Sequence, residues 1–198
     1  MNTFFNILKN NKLLLLVAFI LVLQTGCAAF VVGAGTAAAV ATDKRTAGDM
    51  LEDENIELKF IHRFYQDKQL SETSHVNATS YNGWLLLTGE APNPAIKQAL
   101  YNQAINIKNV KRIFNEISIS APSSIAIRSS DTYLTSKIKI SLLANKKTEA
   151  YHVKVITENS IVYLMGLITQ EQSVEVVKVI QEISGVQRII KLFDYSDQ

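Results

Sequence analysis

One stretch of the chain is written twice. His75-Val-Asn-Ala-Thr-Ser-Tyr-Asn-Gly-Trp-Leu-Leu-Leu-Thr-Gly89 returns 77 residues later as His152-Val-Lys-Val-Ile-Thr-Glu-Asn-Ser-Ile-Val-Tyr-Leu-Met-Gly166. His75 falls on His152, Asn82 on Asn159, Leu87 on Leu164 and Gly89 on Gly166. A fixed internal period of this kind marks a duplicated structural unit. Within each copy two apolar-rich runs flank a tight-turn pair. Asn82-Gly83 is a strong hairpin signal because both central residues of that turn need positive φ, and Asn159-Ser160 is its weaker equivalent.

Outward from each hairpin the same elements recur. Helical spacing of apolar residues runs before it, over roughly Asp53 to Tyr65 and Thr132 to Leu143, with Ile61 and Ile138 in register. A second helix follows it. In the first copy Asn93 is placed to cap this helix, with Pro94 at its first position and Ile96, Leu100 and Ile107 near one face. In the second, Thr169 and Gln172 form a capping box, Val174, Val177 and Ile180 make the stripe, and Gly185 suits the end. A last strand closes each unit, Val110 to Ile119 and Val186 to Tyr195. The order helix, strand, strand, helix, strand gives an α+β fold, two tandem αββαβ units. Each is expected to be a three-stranded sheet with two helices on one face. The boundaries expected are 49–120 and 127–198.

This pattern resembles the BON domain. Its most telling parts are Glu158-Asn-Ser-Ile-Val-Tyr-Leu-Met-Gly166 and the run Ser130-Asp-Thr-Tyr-Leu-Thr-Ser-Lys-Ile-Lys. The start of the chain carries a second resemblance. Lys12 is followed by eleven apolar residues, Leu13 to Leu23, then by Gln24-Thr25-Gly26-Cys27. This is a secretory n-region and h-region, and eleven residues fall short of the roughly 17 to 25 that span a bilayer. The four residues resemble the lipobox of bacterial lipoproteins, although Gln24 stands where that family usually has Leu. The resemblance implies a signal over 1–26, cleavage before Cys27 and acylation of Cys27 with diacylglycerol and a fatty acid such as palmitate. Ala28 is not the Asp that commonly retains such proteins at the inner membrane. The other reading is an uncleaved anchor, since no charge occurs from Leu13 to Thr42. Residues 27–48 then read as a tether, or as a short membrane-hugging helix. A lone cysteine makes no internal disulfide. A lipobox followed by two such units resembles the dual-BON outer-membrane lipoproteins and implies a lipid-anchored protein on the periplasmic face of the outer membrane.

Composition narrows the function. Of the formal charge of +2 over 198 residues, Lys9 and Lys12 belong to the first 26 residues, and the remainder is neutral. A generally basic, nucleic-acid-binding surface is therefore not expected. No HExxH, no Cys/His ligand pairs, no GxSxG and no phosphate-cradling glycine loop occur. His75 and His152 read as residues that open equivalent strands, and Gly89 and Gly166 as strand ends. No enzyme activity, cofactor, metal or small-molecule substrate is expected.

Charge is distributed unevenly. Residues 49–120 carry seven basic and nine acidic groups, and residues 127–198 nine and eight. Between Arg128 and Lys147 five cations, including Lys137, Lys139 and Lys146, meet one acid, Asp131. On a helical wheel Leu134, Ile138 and Leu142 face a core. Tyr133, Ile140 and Leu143 fall elsewhere, with Lys137 beside them and Lys147 near if the helix extends that far. An apolar stripe flanked by lysines suits anionic phospholipid. In the resembled family a lipid-binding member makes its phospholipid contact through the corresponding helix. That implies Tyr133 at the place of a membrane-entering Trp and Leu143 at a matching position. The expected role is phospholipid binding by the second unit in support of envelope integrity under stress. The alternatives are that the stripe packs against the first unit or the linker, or that the protein is an adaptor for an envelope-assembly partner.

Overall fold

The computed structural model describes residues 44–195, apart from 146 and 149. The signal, Cys27, most of the tether and Lys146 lie outside the described residues.

Helix α1, Ala47–Gln66, starts at a capping box: the Asp49 N–H donates to Thr46 Oγ1 at 3.1 Å and the Thr46 N–H to Asp49 Oδ2 at 3.0 Å. It begins six residues before Asp53, so the expected tether overlaps it. Its buried face is Asp53, Ile56, Phe60 and Phe64. Ile61 is partly exposed and Phe60 fills the place opposite Ile138, so the helices repeat at 78 residues while the hairpins repeat at 77. The extra step falls between helix and strand, where a connection can change length without moving the sheet. There Asp67 closes α1 and caps an unanticipated short helix α2, Lys68–Thr73.

Strands β1, His75–Tyr81, and β2, Trp84–Ala91, pair antiparallel, with Asn82 at φ 51° and Gly83 at φ 77°. Helix α3, Pro94–Ile105, is capped by Asn93, whose Oδ1 accepts from the Ile96 N–H at 2.9 Å. The expected last strand is broken in two, β3, Arg112–Asn115, and β4, Ser118–Ile119, both parallel to β2. The break lets Ile117 turn into the core, where it is buried.

The second unit opens with α4, Ile125–Ala144, capped by Ser124, seven residues earlier than its apolar spacing suggested. A 3-10 turn, Ala150–His152, leads to β5, Val153–Glu158, and β6, Ile161–Ile168, then α5, Gln170–Gln181, and β7, Arg188–Tyr195. The sheet order is β5-β6-β7, with β6 antiparallel to β5 and parallel to β7. Asn159 and Ser160 both take positive φ, 50° and 61°. The capping box of Thr169 and Gln172 forms as expected, but α5 buries Ser173, Val176 and Ile180, and Val174 is 65% exposed. Of the expected stripe Ile180 is buried and Val177 packs against the core, and only Val174 faces outward.

In each unit the helices cover one face of the sheet around its own core. The opposite faces meet. Tyr81 and Leu86 of the first unit cluster with Tyr163, Met165 and Leu192 of the second. Strands β2 and β6 are therefore buried on both sides, which explains their near-continuous apolar runs Leu85-Leu86-Leu87 and Val162-Tyr163-Leu164-Met165. Burial in this cluster pushes the Tyr163 hydroxyl up to about 12. Gly89 and Gly166 do not end strands. Each sits inside its strand, where an added Cβ would lie 2.1 Å from His75 O or 2.3 Å from His152 O. Among the described residues no helix is long and apolar enough to cross a membrane.

Candidate functional site

Helix α4 holds its position through its buried side. Leu134, Ile138 and Leu142 enter the second core. Asp131 caps the β5-β6 turn: its Oδ2 accepts from the Asn159 N–H at 2.8 Å and its Oδ1 from the Ser160 N–H at 2.9 Å. Asp53 repeats this in the first unit, accepting from the N–H groups of Asn82 and Gly83, both at 2.8 Å. This duplicated helix-to-turn carboxylate escaped the sequence reading because it repeats at 78 residues, one step off the hairpin period.

The outer side of α4 presents Tyr133, Ile140 and Leu143 at 72%, 68% and 53% exposure. They are not covered by the first unit or by the connecting segment; the two sheets supply the contact between units instead. Because α4 starts at Ile125, the apolar line is longer than expected. Ile125, 80% exposed, lies five helical turns before Leu143 at nearly the same wheel angle. Wheel geometry over a helix start not recognised in sequence could not include it.

The cations are distributed differently from expectation. Lys137 is half-buried and its Nζ donates to Ser184 Oγ at 3.1 Å, while Lys139 is exposed. Helix α4 ends at Ala144, where Thr148 Oγ1 donates to Leu142 O at 2.7 Å. Lys147 therefore sits in the following turn, exposed, and its N–H bonds Asn145 Oδ1 at 3.0 Å. Arg128 folds back on Ser123 O at 3.1 and 2.7 Å. The face thus joins aromatic and aliphatic groups to peripheral cations.

The histidines occupy unlike settings. His62 is exposed on α1 beside Gln66. His75 opens β1 and its Nδ1 lies 3.4 Å from Glu90 Oε2. His152 precedes β5, and its carbonyl accepts from the Tyr81 hydroxyl at 3.4 Å. Glu90 and Glu158 are buried side by side across the contact between units. Burial raises the Glu158 carboxyl above its usual range; the Asn77 hydrogen bond opposes this and the Glu90 charge adds to it.

The BON domain pattern matches residues 52–121 and again 130–197. Outer membrane lipoprotein DolP of Haemophilus influenzae is 39% identical over 187 residues, covering 94% of this chain and 96% of that protein. A 21 kDa hemolysin of Actinobacillus pleuropneumoniae is 35% identical, covering 77% and 79%. The solved CdsD, a structural protein of the type III secretion system of Chlamydia trachomatis, covers 75% of this chain at 15% identity and a TM-score of 0.27, too weak a likeness to inform fold or function. With its fold repeated in tandem and a near-full-length lipoprotein relative, the chain belongs to the BON domain family, as a dual-BON protein of the outer-membrane lipoprotein type.

Proposed function

We propose that the protein is anchored in the outer membrane through acylated Cys27, faces the periplasm, and uses α4 of its second BON domain to bind anionic phospholipid in support of envelope integrity. On this reading residues 1–26 are the signal, 27–48 the tether, whose last two residues belong to α1, and 49–120 and 127–198 the two domains. The observation that carries it is the outward stripe of Ile125, Tyr133, Ile140 and Leu143 on a helix whose opposite side is fixed in the core. Amphipathic surfaces of this kind lie in the headgroup boundary, and each nearby Lys adds on the order of 1 kcal/mol toward an anionic surface. Tyr133, Ile140 and Leu143 enter the interface; Lys137, Lys139 and Lys147 serve the headgroups from its margins. A lipid anchor supplies residence, and a weak second contact then becomes effectively intramolecular. Tyr in place of Trp gives a weaker insertion.

The test is co-flotation of the chain from Ala28 onward with phosphatidylglycerol vesicles. Binding is expected, weaker at high salt as screening requires, and lost in the Tyr133→Ala/Lys137→Glu/Ile140→Ser variant. Equal binding by that variant removes the assignment. A second reading, a protein-interaction adaptor, draws on the exposed line Leu51, Leu58 and Tyr65 along α1, beside Glu54. Absence of vesicle binding together with a specific envelope protein crosslinked at α1 would favour it. The relatives are named for a lipoprotein and a hemolysin rather than for an enzyme.

A further inference from the structure

The contact between the two BON domains is pseudo-symmetric, but its two ends differ chemically. At one end the Tyr81 hydroxyl meets His152 O, and Leu167 lies in the same apolar cluster. At the other, the equivalents 77 residues away are Glu158 for Tyr81, Glu90 for Leu167 and His75 for His152. The fold thus needs no acid at these positions, and the two acids are particular to one end. Glu90 is 1% exposed and Glu158 6% exposed.

Donor atoms of His75, Glu90 and Glu158 all lie within 4.8 Å of one another. His75 Nδ1 is buried and makes no hydrogen bond. Its 3.4 Å separation from Glu90 Oε2 matches the edge of a tetrahedron around a cation with bonds of roughly 2.1 Å. The carboxylates are oriented by neutral groups. Asn77 Nδ2 donates to Glu158 Oε2 at 3.0 Å, Thr88 Oγ1 to the same oxygen at 3.4 Å, Asn159 Nδ2 to Glu90 Oε1 at 2.5 Å, and the Ser123 N–H to Glu90 Oε2 at 3.2 Å. Such partners hold a ligand set in place and cancel none of its charge. The other charged groups near Glu158 have their own contacts: Arg128 on Ser123 O, Lys97 on Ile117 O, and Asp131 on the β5-β6 turn. Arg188 and Glu116 line the neighbouring cavity. A cavity of about 360 Å³ beside His75 and Glu158 leaves room for a water to complete the shell.

We propose that His75, Glu90 and Glu158 bind one zinc-type divalent cation that clasps the two BON domains together. An imidazole nitrogen with two carboxylate oxygens selects first-row metals such as Zn²⁺ over Mg²⁺ and Ca²⁺, which take oxygen ligands alone. The cation's two positive charges neutralise two buried carboxylates that otherwise face each other. Because Glu158 comes from the second domain and the other two ligands from the first, binding stabilises the joined arrangement over the separated one.

The full-length protein in detergent micelles, stripped with chelator, is titrated with Zn²⁺ and followed by calorimetry and thermal unfolding. One Zn²⁺ per chain and a melting temperature raised by several degrees are expected, with no rise from Mg²⁺ at the same concentration. His75→Ala and Glu158→Gln should each weaken binding at least ~10-fold, while His152→Ala binds like the native chain. Glu158→Gln in chelator should melt no lower than the native protein, which shows that its loss of zinc is not a loss of fold. Absence of stoichiometric binding, native affinity in both ligand variants, or an equal rise with Mg²⁺ would overturn the proposal.

Discussion

Asp53 and Asp131 show how single side chains set this architecture. Each is buried on the first helix of its unit and accepts hydrogen bonds from both N–H groups of its hairpin turn. The turn residues have positive φ, so their amides point inward together and need a common acceptor. Asp53→Ala leaves these amides and the Ser80 hydroxyl, 2.7 Å from Asp53 Oδ1, without one. Urea unfolding should show a loss of about 2 to 4 kcal/mol; a loss under 1 kcal/mol would show that the turn holds itself. Gly89 is as demanding for a different reason. With φ 114° and His75 O where a Cβ would lie, Gly89→Ala should cost about 3 kcal/mol or more by the same measurement.

Among the elements, α4 carries two faces with opposite duties. Leu134→Ala opens a hole in the second core and should cost roughly 2 to 5 kcal/mol. Tyr133→Ala, one residue away, should change stability by no more than about 0.5 kcal/mol while reducing vesicle binding. A Tyr133→Ala that unfolds as readily as Leu134→Ala would show that Tyr133 packs. Helix α4 also marks what was legible in the sequence. The hairpins were readable because Asn82-Gly83 and Asn159-Ser160 demand positive φ, and the second helices because Asn93, Pro94, Thr169 and Gln172 are local start signals. The start of α4 was hidden because its first two turns, Ile125 to Ser130, lack a capping box and carry no core residue. On α5 Val177 and Ile180 meet the core as their spacing predicts, but Val174 does not, because small Ser173 is buried in its place. The break before Ile117 is made at Asn115, whose Oδ1 accepts from the Ile117 N–H at 3.4 Å, a turn that one Asn inside an apolar run did not announce.

Across the whole molecule, the contact between domains was the least legible feature. Apolar runs in β2 and β6 reveal burial on both faces but not the partner, and His75, Glu90 and Glu158 converge only when the sheets stack. The raised carboxyl of Glu158 makes this contact sensitive to pH. A folded-state value above the ordinary one means stability is fully present where the group is protonated in both states, below the ordinary carboxylate range. It is lost as pH rises through the raised value. In chelator, urea midpoints from roughly pH 4 to 8 should therefore fall with pH more steeply for the native chain than for Glu158→Gln. Identical slopes would show that the Glu158 charge is accommodated at no cost.

The proposed function depends most on contact between the outward face of α4 and anionic lipid. Amide NMR signals recorded with phosphatidylglycerol micelles carrying a spin-labelled lipid test this directly. Broadening concentrated on the segment from Ile125 to Leu143 is expected, with α1 and the sheets little changed. Broadening centred on α1, or none at α4, would contradict it.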